Sequence, residues 1–199
     1  MRAVDRADFI RPQDGAQAYD DNPLPIGHAA TISAPHMHAH ALMQLKERLV
    51  DGASALDVGV GSGYLAVSMS HMVGERGIVH GIDYLPQLVD MSRRNIAKRS
   101  ADLLSPRPDV GSPRLTLSVT DGWQGVPGHT FDAIHVGAAA ATVPTALVEQ
   151  LKPGGRMIIP VGTDEQVLMA IDKAEDGSVT QRKLMLVRYV PLVQHGPQC

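Results

Sequence analysis

The chain has 199 residues and carries 18 Lys and Arg against 21 Asp and Glu, for a formal net charge of -3. This length suits one domain with a full core, and the near-balance of charge excludes the basic footprint of a nucleic-acid or anionic-membrane binder. No apolar run approaches the roughly 18 residues that a membrane-spanning helix needs. The single cysteine, Cys199, excludes an internal disulfide, so we expect a soluble, cytoplasmic protein.

Strand-like and helix-like segments alternate along most of the chain. Apolar residues at helical spacing predict helices at about 37–50, 65–73 and 85–96, and a short one through Leu147 and Leu151 that ends at Pro153. Short apolar and β-branched runs predict strands at 54–58, 77–83, 115–119, 131–136, 156–160, 167–172 and 184–191. Residues 100–113 predict a loop, and residues 19–25 predict an extended surface segment that crosses the sheet edge.

Nearly continuous apolar strands that alternate with helices are typical of a parallel sheet covered on both faces. We therefore predict an α/β fold with a doubly wound, mostly parallel seven-stranded sheet. The chain is interpreted as one domain, 1–199, with an N-terminal segment (1–35) at the site, a cofactor-binding core (36–160) and C-terminal strands (161–199). No exposed apolar patch is evident in the pattern, so we expect a monomer.

A glycine-rich loop follows the first predicted buried strand and precedes a helix. Gly59, Gly61 and Gly63 allow the backbone to pass close to a ligand and expose the amides of the helix N-terminus. Asp83 ends the next strand, about 20 residues further on, where a carboxylate can accept both hydroxyls of a ribose. Together these residues predict a nucleoside-containing cofactor at the carboxyl edge of the sheet.

The acid before this loop distinguishes between cofactors. Dinucleotide sites favour a G-x-G-x-x-G spacing, whereas here the spacing is G-x-G-x-G behind Asp57. A carboxylate at that place repels a pyrophosphate but suits a ligand with an ammonium group, and S-adenosylmethionine has that group and no phosphate. The pattern resembles motif I of the Rossmann-like class I methyltransferases that use S-adenosylmethionine. Asp121 and Gly122 follow the third strand, where such enzymes bind the adenine edge.

The end of the fourth predicted strand indicates the methyl acceptor. Residues 136–141 read V-G-A-A-A-A and offer no side chain that could bind or remove a proton. A carboxylate acceptor, with a reference pKa near ~4, is already ionised at neutral pH and needs no base. Thr31 and Ser33 in the N-terminal segment could donate hydrogen bonds that hold such a carboxylate.

Three segments, T-I-S-A-P-H-M-H-A, F-D-A-I-H-V-G-A-A-A and L-K-P-G-G-R-M-I-I-P-V-G, resemble those of the protein-L-isoaspartate (D-aspartate) O-methyltransferase family. The resemblance extends from about Met1 to Val193. It implies methyl transfer from S-adenosylmethionine, with S-adenosylhomocysteine as product, to the α-carboxylate of L-isoaspartyl residues in damaged proteins. It implies Ser33 as the active-site hydroxyl, which orients the acceptor. The cofactor contacts that it implies, together with those expected from the glycine loop, are Ala30, Thr31, Ile32, Ser33, His38, Asp57, Gly59, Gly61, Gly63, Asp83, Tyr84, Asp121 and Gly122.

Two other functions and one metal site are alternatives. The chain could methylate a different, small carboxylate, or it could bind the cofactor without catalysis, because family members carry a further N-terminal helical segment before the stretch matched by residues 4–9. His36, His38 and His40 alternate, as zinc ligands on an extended segment would, but the predicted helix separates them and no cysteine or nearby acid completes a set. We predict no metal site and no nucleic-acid partner.

Overall fold

The computed structural model describes residues 3–193. The N-terminal part consists of two short 3-10 helices, Arg6–Phe9 and Pro12–Gln17, and a small antiparallel hairpin of strands β1 (Leu24–Gly27) and β2 (Ala30–Ile32). The two residues of the hairpin turn, His28 and Ala29, both have positive φ angles, of 53° and 57°. That backbone matches the primed turns of tight hairpins, which ordinarily use Gly or Asn, so this turn is strained.

The remaining elements alternate in the predicted manner. The helices are α1 (Pro35–Leu45), α2 (Tyr64–Met72), α3 (Pro86–Ala97) and α4 (Thr145–Glu149). The strands are β3 (Ser54–Val58), β4 (Ile78–Asp83), β5 (Leu115–Val119), β6 (Phe131–Val136), β7 (Leu151–Val161), β8 (Gln166–Lys173) and β9 (Val179–Val187).

Strands β3 to β9 form one seven-stranded sheet in the order β5-β4-β3-β6-β7-β8-β9. The first five strands of that order are parallel, whereas β8 is antiparallel to both β7 and β9. The first strand of this sheet along the chain, β3, lies in its middle; the chain then adds β4 and β5 on one side and β6 on the other. The switch point of the sheet therefore lies between β3 and β6. Ligands of doubly wound sheets bind at the carboxyl ends of such strands. The predicted fold class is confirmed, and β8 and β9 follow β7 in chain order.

Three predicted segments differ in the structure. Leu151 does not continue the helix of Leu147 but begins β7, an 11-residue strand that contains the Pro153-Gly154-Gly155 turn signal as an irregularity in its pairing with β6. The last strand ends at Val187 instead of extending over 184–191. A 3-10 turn, Ala101–Leu104, interrupts the predicted loop because Leu103 is buried there.

The core lies on both faces of the sheet, and β3 runs through its centre. Leu56 and Val58 of β3 face one buried cluster and Ala55 faces the other. No helix among residues 3–193 is long and apolar enough to span a membrane.

Candidate active site

The loop between β3 and α2 has the backbone that only glycine adopts easily. Gly59, Gly61 and Gly63 have φ angles of 76°, 51° and 91°. The amides of Gly59 and Val60 both donate to the carbonyl of Ile82, at 2.8 and 2.9 Å, which fixes the loop against the end of β4. A Cβ atom on Gly63 would lie 3.1 Å from Ile96, so Gly63 permits the close packing of α2 on α3.

Asp83 joins this loop to the end of β4. Its Oδ2 accepts a hydrogen bond from the amide of Gly61 at 3.1 Å, and its Oδ1 accepts one from the amide of Leu85 at 3.3 Å. Burial raises the pKa of the Asp83 carboxyl, and these backbone amides oppose the shift. A carboxylate has about four acceptor positions, so both oxygens keep capacity for ligand hydroxyls.

A cleft, here called the inner cleft, opens at the carboxyl ends of β3 and β4. Its lining consists of His28, Ala29, Ala30, Thr31, Val58, Gly59, Gly61, Asp83, Tyr84, Leu88, Gly122, Gly137, Ala138 and residues 190–193. The part of the lining that the structure describes is mostly apolar, contains no Lys or Arg, and has Asp83 as its one carboxylate. A pyrophosphate would find no cation here, whereas a nucleoside without phosphate would find apolar walls for its base and a ribose acceptor. These residues therefore fit S-adenosylmethionine.

Residues 190–193 return from the end of β9 and close one side of the inner cleft. The amide of Ala139 donates to the carbonyl of Val190 at 2.8 Å, and the amide of Leu192 donates to the carbonyl of Ala139 at 2.7 Å. The indole of Trp123 donates to the carbonyl of Leu192 at 3.1 Å. A Cβ atom on Gly122 would lie 2.8 Å from the Leu192 side chain, so this wall packs directly on that glycine.

A second cleft, the outer cleft, adjoins the first. Its lining consists of Pro23, Thr31, Ser33, Ala34, His36, Met37, Gly137 and residues 185–190. Thr31, Gly137 and Val190 line both clefts, so the two clefts adjoin at these residues. Ser33 lies in the outer cleft alone, near the phenol of Tyr189. Burial raises the pKa of Tyr189 to about 12, and the nearby Ser33 hydroxyl opposes that shift.

The backbone of Ser33 is held by Arg6. The Nη1 of Arg6 donates to the Ser33 carbonyl at 2.8 Å, and its Nη2 donates to the carbonyl of Asn22 at 3.3 Å. Arg6 is almost completely buried, and this burial lowers the pKa of its guanidinium. The guanidinium also lies 5.9 Å from the ring centre of Tyr64 on α2. The start of the chain thus sets the position of the outer cleft.

The structure brings seven of the residues expected at the cofactor together in the inner cleft and places the others elsewhere. The seven are Ala30, Thr31, Gly59, Gly61, Asp83, Tyr84 and Gly122. Ile32 is buried in the core, and Gly63 packs against α3. The carboxylate of Asp121 caps the following turn by accepting from the amide of Trp123 at 2.9 Å, and Asp121 lines a hollow that shares Tyr84 with the inner cleft.

Asp57 and His38 lie behind the inner cleft and not on its wall. Asp57 is 2% exposed, and its Oδ1 is 2.8 Å from Nδ1 of His135, its partner in the pairing of β3 with β6. The ring of His38 lies 5.0 Å from that of Tyr64, and burial lowers the pKa of His38 to about 3. Its Nδ1 has no hydrogen-bond partner among the described residues. His38 is therefore a neutral, buried imidazole at pH 7.

Sequence reasoning missed several residues of the clefts. No glycine or asparagine marked the turn of His28 and Ala29. Leu88 was predicted only as part of a helical stripe, and residues 190–193 were predicted as a strand end or left without a role. Their place in the cleft depends on contacts between segments that lie far apart in the chain.

A doubly wound sheet, a glycine loop, a carboxylate at the end of the neighbouring strand and a described cleft lining without Lys or Arg are typical of S-adenosylmethionine-dependent methyltransferases. The model of the family Protein-L-isoaspartate(D-aspartate) O-methyltransferase matches residues 1–196. A protein-L-isoaspartate O-methyltransferase of Triticum aestivum is 49% identical over 199 residues, which cover 100% of this chain and 84% of that protein. Its counterpart in Caenorhabditis elegans is 47% identical over 201 residues, with the same coverage. The chain belongs to the protein-L-isoaspartate O-methyltransferase family.

The structural comparison agrees. A protein-L-isoaspartate O-methyltransferase from Plasmodium falciparum, solved in complex with S-adenosyl-L-homocysteine, is 35% identical and superposes with a TM-score of 0.85. The match covers 96% of this chain and 87% of that one. S-adenosylmethionine is thus the cofactor of this chain.

Proposed function

We propose that this chain transfers a methyl group from S-adenosylmethionine to the α-carboxylate of L-isoaspartyl residues in damaged proteins. The resulting ester can cyclise to a succinimide, which can reopen as normal aspartate. The observation that carries the proposal is the shared wall of the two clefts, because Ser33 in the outer cleft lies beside Thr31, which also lines the inner cleft. An acceptor held by Ser33 can therefore reach a methyl group presented from the inner cleft.

The chemistry of the lining suits a carboxylate acceptor. When bound, S-adenosylmethionine supplies an electrophilic methyl group on a positively charged sulfur. The end of β6, at Gly137 and Ala138, brings only backbone and a methyl group to this point. Transfer to a carboxylate releases no proton, so the chain needs no general base, and its contribution is alignment.

Ser33 and Thr31 have the positioning role in this proposal. The Ser33 hydroxyl can donate to one carboxylate oxygen while the other faces the inner cleft. The bond from Arg6 to the Ser33 carbonyl holds that hydroxyl in place from behind. Asp83 and Gly122 are proposed to hold the ribose and the base of the cofactor.

A paired-peptide assay tests the proposal. Labelled methyl transfer is measured on two peptides that differ only in whether one residue is L-isoaspartyl or L-aspartyl, and we expect incorporation in the first alone. Equal incorporation in both would indicate a less selective carboxyl methyltransferase. Cofactor binding without incorporation in either would indicate a non-catalytic binding module.

We further propose that the protein acts as a cytoplasmic monomer on protein and peptide substrates, without nucleic-acid or membrane partners. A net charge of -3 and the absence of a basic stripe in the sequence support this proposal. Sedimentation of the purified chain at micromolar concentration tests the monomer, and a dimer would contradict it.

A further inference from the structure

Within residues 3–193, Arg188 is the one permanent cation that lines the outer cleft. Among the residues that line this cleft, His36 and Arg188 are the basic side chains, and none is a carboxylic acid. His36 already has a partner, since its Nδ1 lies 2.8 Å from Asp21. Substrate entering this cleft therefore meets a guanidinium whose charge no lining acid neutralises.

Arg6, the other arginine that contacts a residue of the outer cleft, is tied to protein groups, and Arg188 is not. Arg6 donates to the backbone carbonyls of Ser33 and Asn22. Arg188 is exposed, and no hydrogen bond or ion pair engages its guanidinium within residues 3–193. Its five donors are free to bind a ligand carboxylate, which matches the planar guanidinium in a two-point contact.

The backbone beside Arg188 is fixed, so the location of its charge is defined. The backbone of the next residue, Tyr189, is held by the side-chain amide of Gln166: Oε1 accepts from the Tyr189 N–H at 2.6 Å, and Nε2 donates to the Tyr189 carbonyl at 3.1 Å. Consecutive Cα atoms are about 3.8 Å apart, so the Cα atom of Arg188 lies that distance from the Cα atom of Tyr189, which lies near Ser33. The Arg188 side chain extends from this fixed point. An extended peptide advances about 3.3 Å per residue, so the reach of Arg188 corresponds to the near neighbours of the reacting residue.

We propose that Arg188 is a specificity-determining residue that favours isoaspartyl substrates with an Asp or Glu side chain within about two residues of the isoaspartyl residue. This inference rests on the proposed function. Arg188 pairs with the flanking acid and not with the reacting carboxylate, because a guanidinium bound to the attacking oxygens would withdraw the electron density that the transfer uses. The hydroxyls of Thr31 and Ser33 serve that carboxylate.

Three isoaspartyl peptides test the proposal, identical except for Glu, Gln or Lys two residues from the isoaspartyl residue. For the wild-type chain we expect kcat/KM to be about fivefold higher for the Glu peptide than for the Gln peptide, and lowest for the Lys peptide. Arg188→Gln should remove this order, and Arg188→Glu should reverse it. The preference should shrink as salt is raised, because the contact is exposed.

Arg182→Gln is the matched control. Arg182 is an exposed cation within β9, six residues before Arg188 and about 20 Å from it along an extended chain, so its removal should leave the Glu preference intact. A wild-type chain that methylates all three peptides equally would overturn the inference and leave the proposed function standing. An equal loss on all three peptides in Arg188→Gln would also overturn it, because the guanidinium would then serve the reacting carboxylate. No methylation of any isoaspartyl peptide would refute the proposed function itself.

Discussion

The side chain of Gln166 on β8 brackets the backbone of Tyr189. Its Oε1 accepts from the Tyr189 amide at 2.6 Å, and its Nε2 donates to the Tyr189 carbonyl at 3.1 Å. Regular pairing of β8 with β9 ends at Gln166 and Val187, so this amide continues the hydrogen-bonding ladder by two residues. The wall shared by the two clefts begins at the next residue, Val190.

Gln166→Ala should loosen that wall from the outer side. We expect kcat/KM for an isoaspartyl peptide to fall about tenfold, since two hydrogen bonds of about 1 kcal/mol each no longer hold Tyr189. Cofactor affinity should change little, because Ala139 and Trp123 anchor residues 190–192 independently. Peptide kinetics and calorimetry with S-adenosylmethionine measure the two effects. Gln181→Ala, an exposed change on β9, is the control, and an unchanged kcat/KM in Gln166→Ala would contradict the prediction.

Ser33→Ala should separate turnover from cofactor binding. Loss of a hydrogen bond to a charged acceptor is worth about 1.5–3 kcal/mol, so we expect a 10- to 100-fold fall in kcat/KM. The dissociation constant of S-adenosylmethionine should stay within about twofold, because Ser33 lines only the outer cleft. A large loss of cofactor affinity would show that the two clefts are coupled through this residue. Trapping of a methylated Ser33 would instead show that it acts as a nucleophile.

Asp83→Asn should weaken cofactor binding, which Ser33→Ala should leave nearly unchanged. The variant keeps an oxygen for the Gly61 amide but loses the charge that two ribose hydroxyls would bind, so we expect S-adenosylmethionine affinity to fall about 10- to 100-fold. Calorimetry measures the change, with NAD titrated into the wild-type chain as the comparison ligand. Binding of NAD at similar strength would contradict the cofactor assignment. Asp90→Asn, an exposed change on α3, is the control.

Removal of Asp57 should destabilise the fold. Asp57→Ala leaves His135 buried and unpaired, at a cost of about 1–3 kcal/mol in the free energy of unfolding, plus any loss of packing. Asp57→Asn should cost less, because its amide oxygen can still accept from Nδ1 of His135. Urea unfolding of both variants measures the difference. Equal losses in the two would mean that the hydrogen bond is not what Asp57 contributes.

His38 should make the stability depend on pH below neutrality. Its pKa is about 3 in the folded chain, against an ordinary value of 6.5, so the unfolded chain binds a proton that the folded chain excludes. The stability conferred by the neutral form is complete above about pH 6.5 and is lost as the pH falls toward 3, by up to about 1.4 kcal/mol per unit.

Urea unfolding between pH 7 and pH 4 tests this dependence. The slope should be smaller by close to one proton in His38→Gln, whatever that variant costs in stability at pH 7. An identical slope in the wild-type chain and in His38→Gln would show that folding does not lower the pKa of His38.

The bounds of β3 and β6 in the middle of the sheet were predicted to the residue, whereas those of β9 at one edge were not. β3 and β6 are continuous apolar runs, and burial leaves such runs few alternatives. β9 carries Thr180, Gln181, Arg182 and Lys183 in exposed positions, so no apolar signal marked its start. Leu147 and Leu151 have helical spacing, but Leu151 pairs with Phe131 across the sheet, and that contact outweighs local periodicity.

Some residues of the candidate site were also predictable from the sequence, and others were not. The glycine loop and Asp83 belong to one strand–turn–helix pattern and the strand beside it, so their meeting followed from the fold class. Asp57 was expected to face a ligand, but it has a cross-strand partner in His135 that lies 78 residues away in the chain. The return of residues 190–193 to the inner cleft depends on Ala139 and Trp123, and no local pattern carries that information.

The contact between Arg6 and the Ser33 carbonyl makes the 3-10 helix Arg6–Phe9 a positioning element of the proposed acceptor site. Proteolytic trimming past Arg6 would remove this contact and leave the glycine loop and Asp83 in place. We expect the trimmed molecules to bind S-adenosylmethionine still but to transfer no methyl group. In a mixed population they would act as competitors of the intact enzyme for its methyl supply.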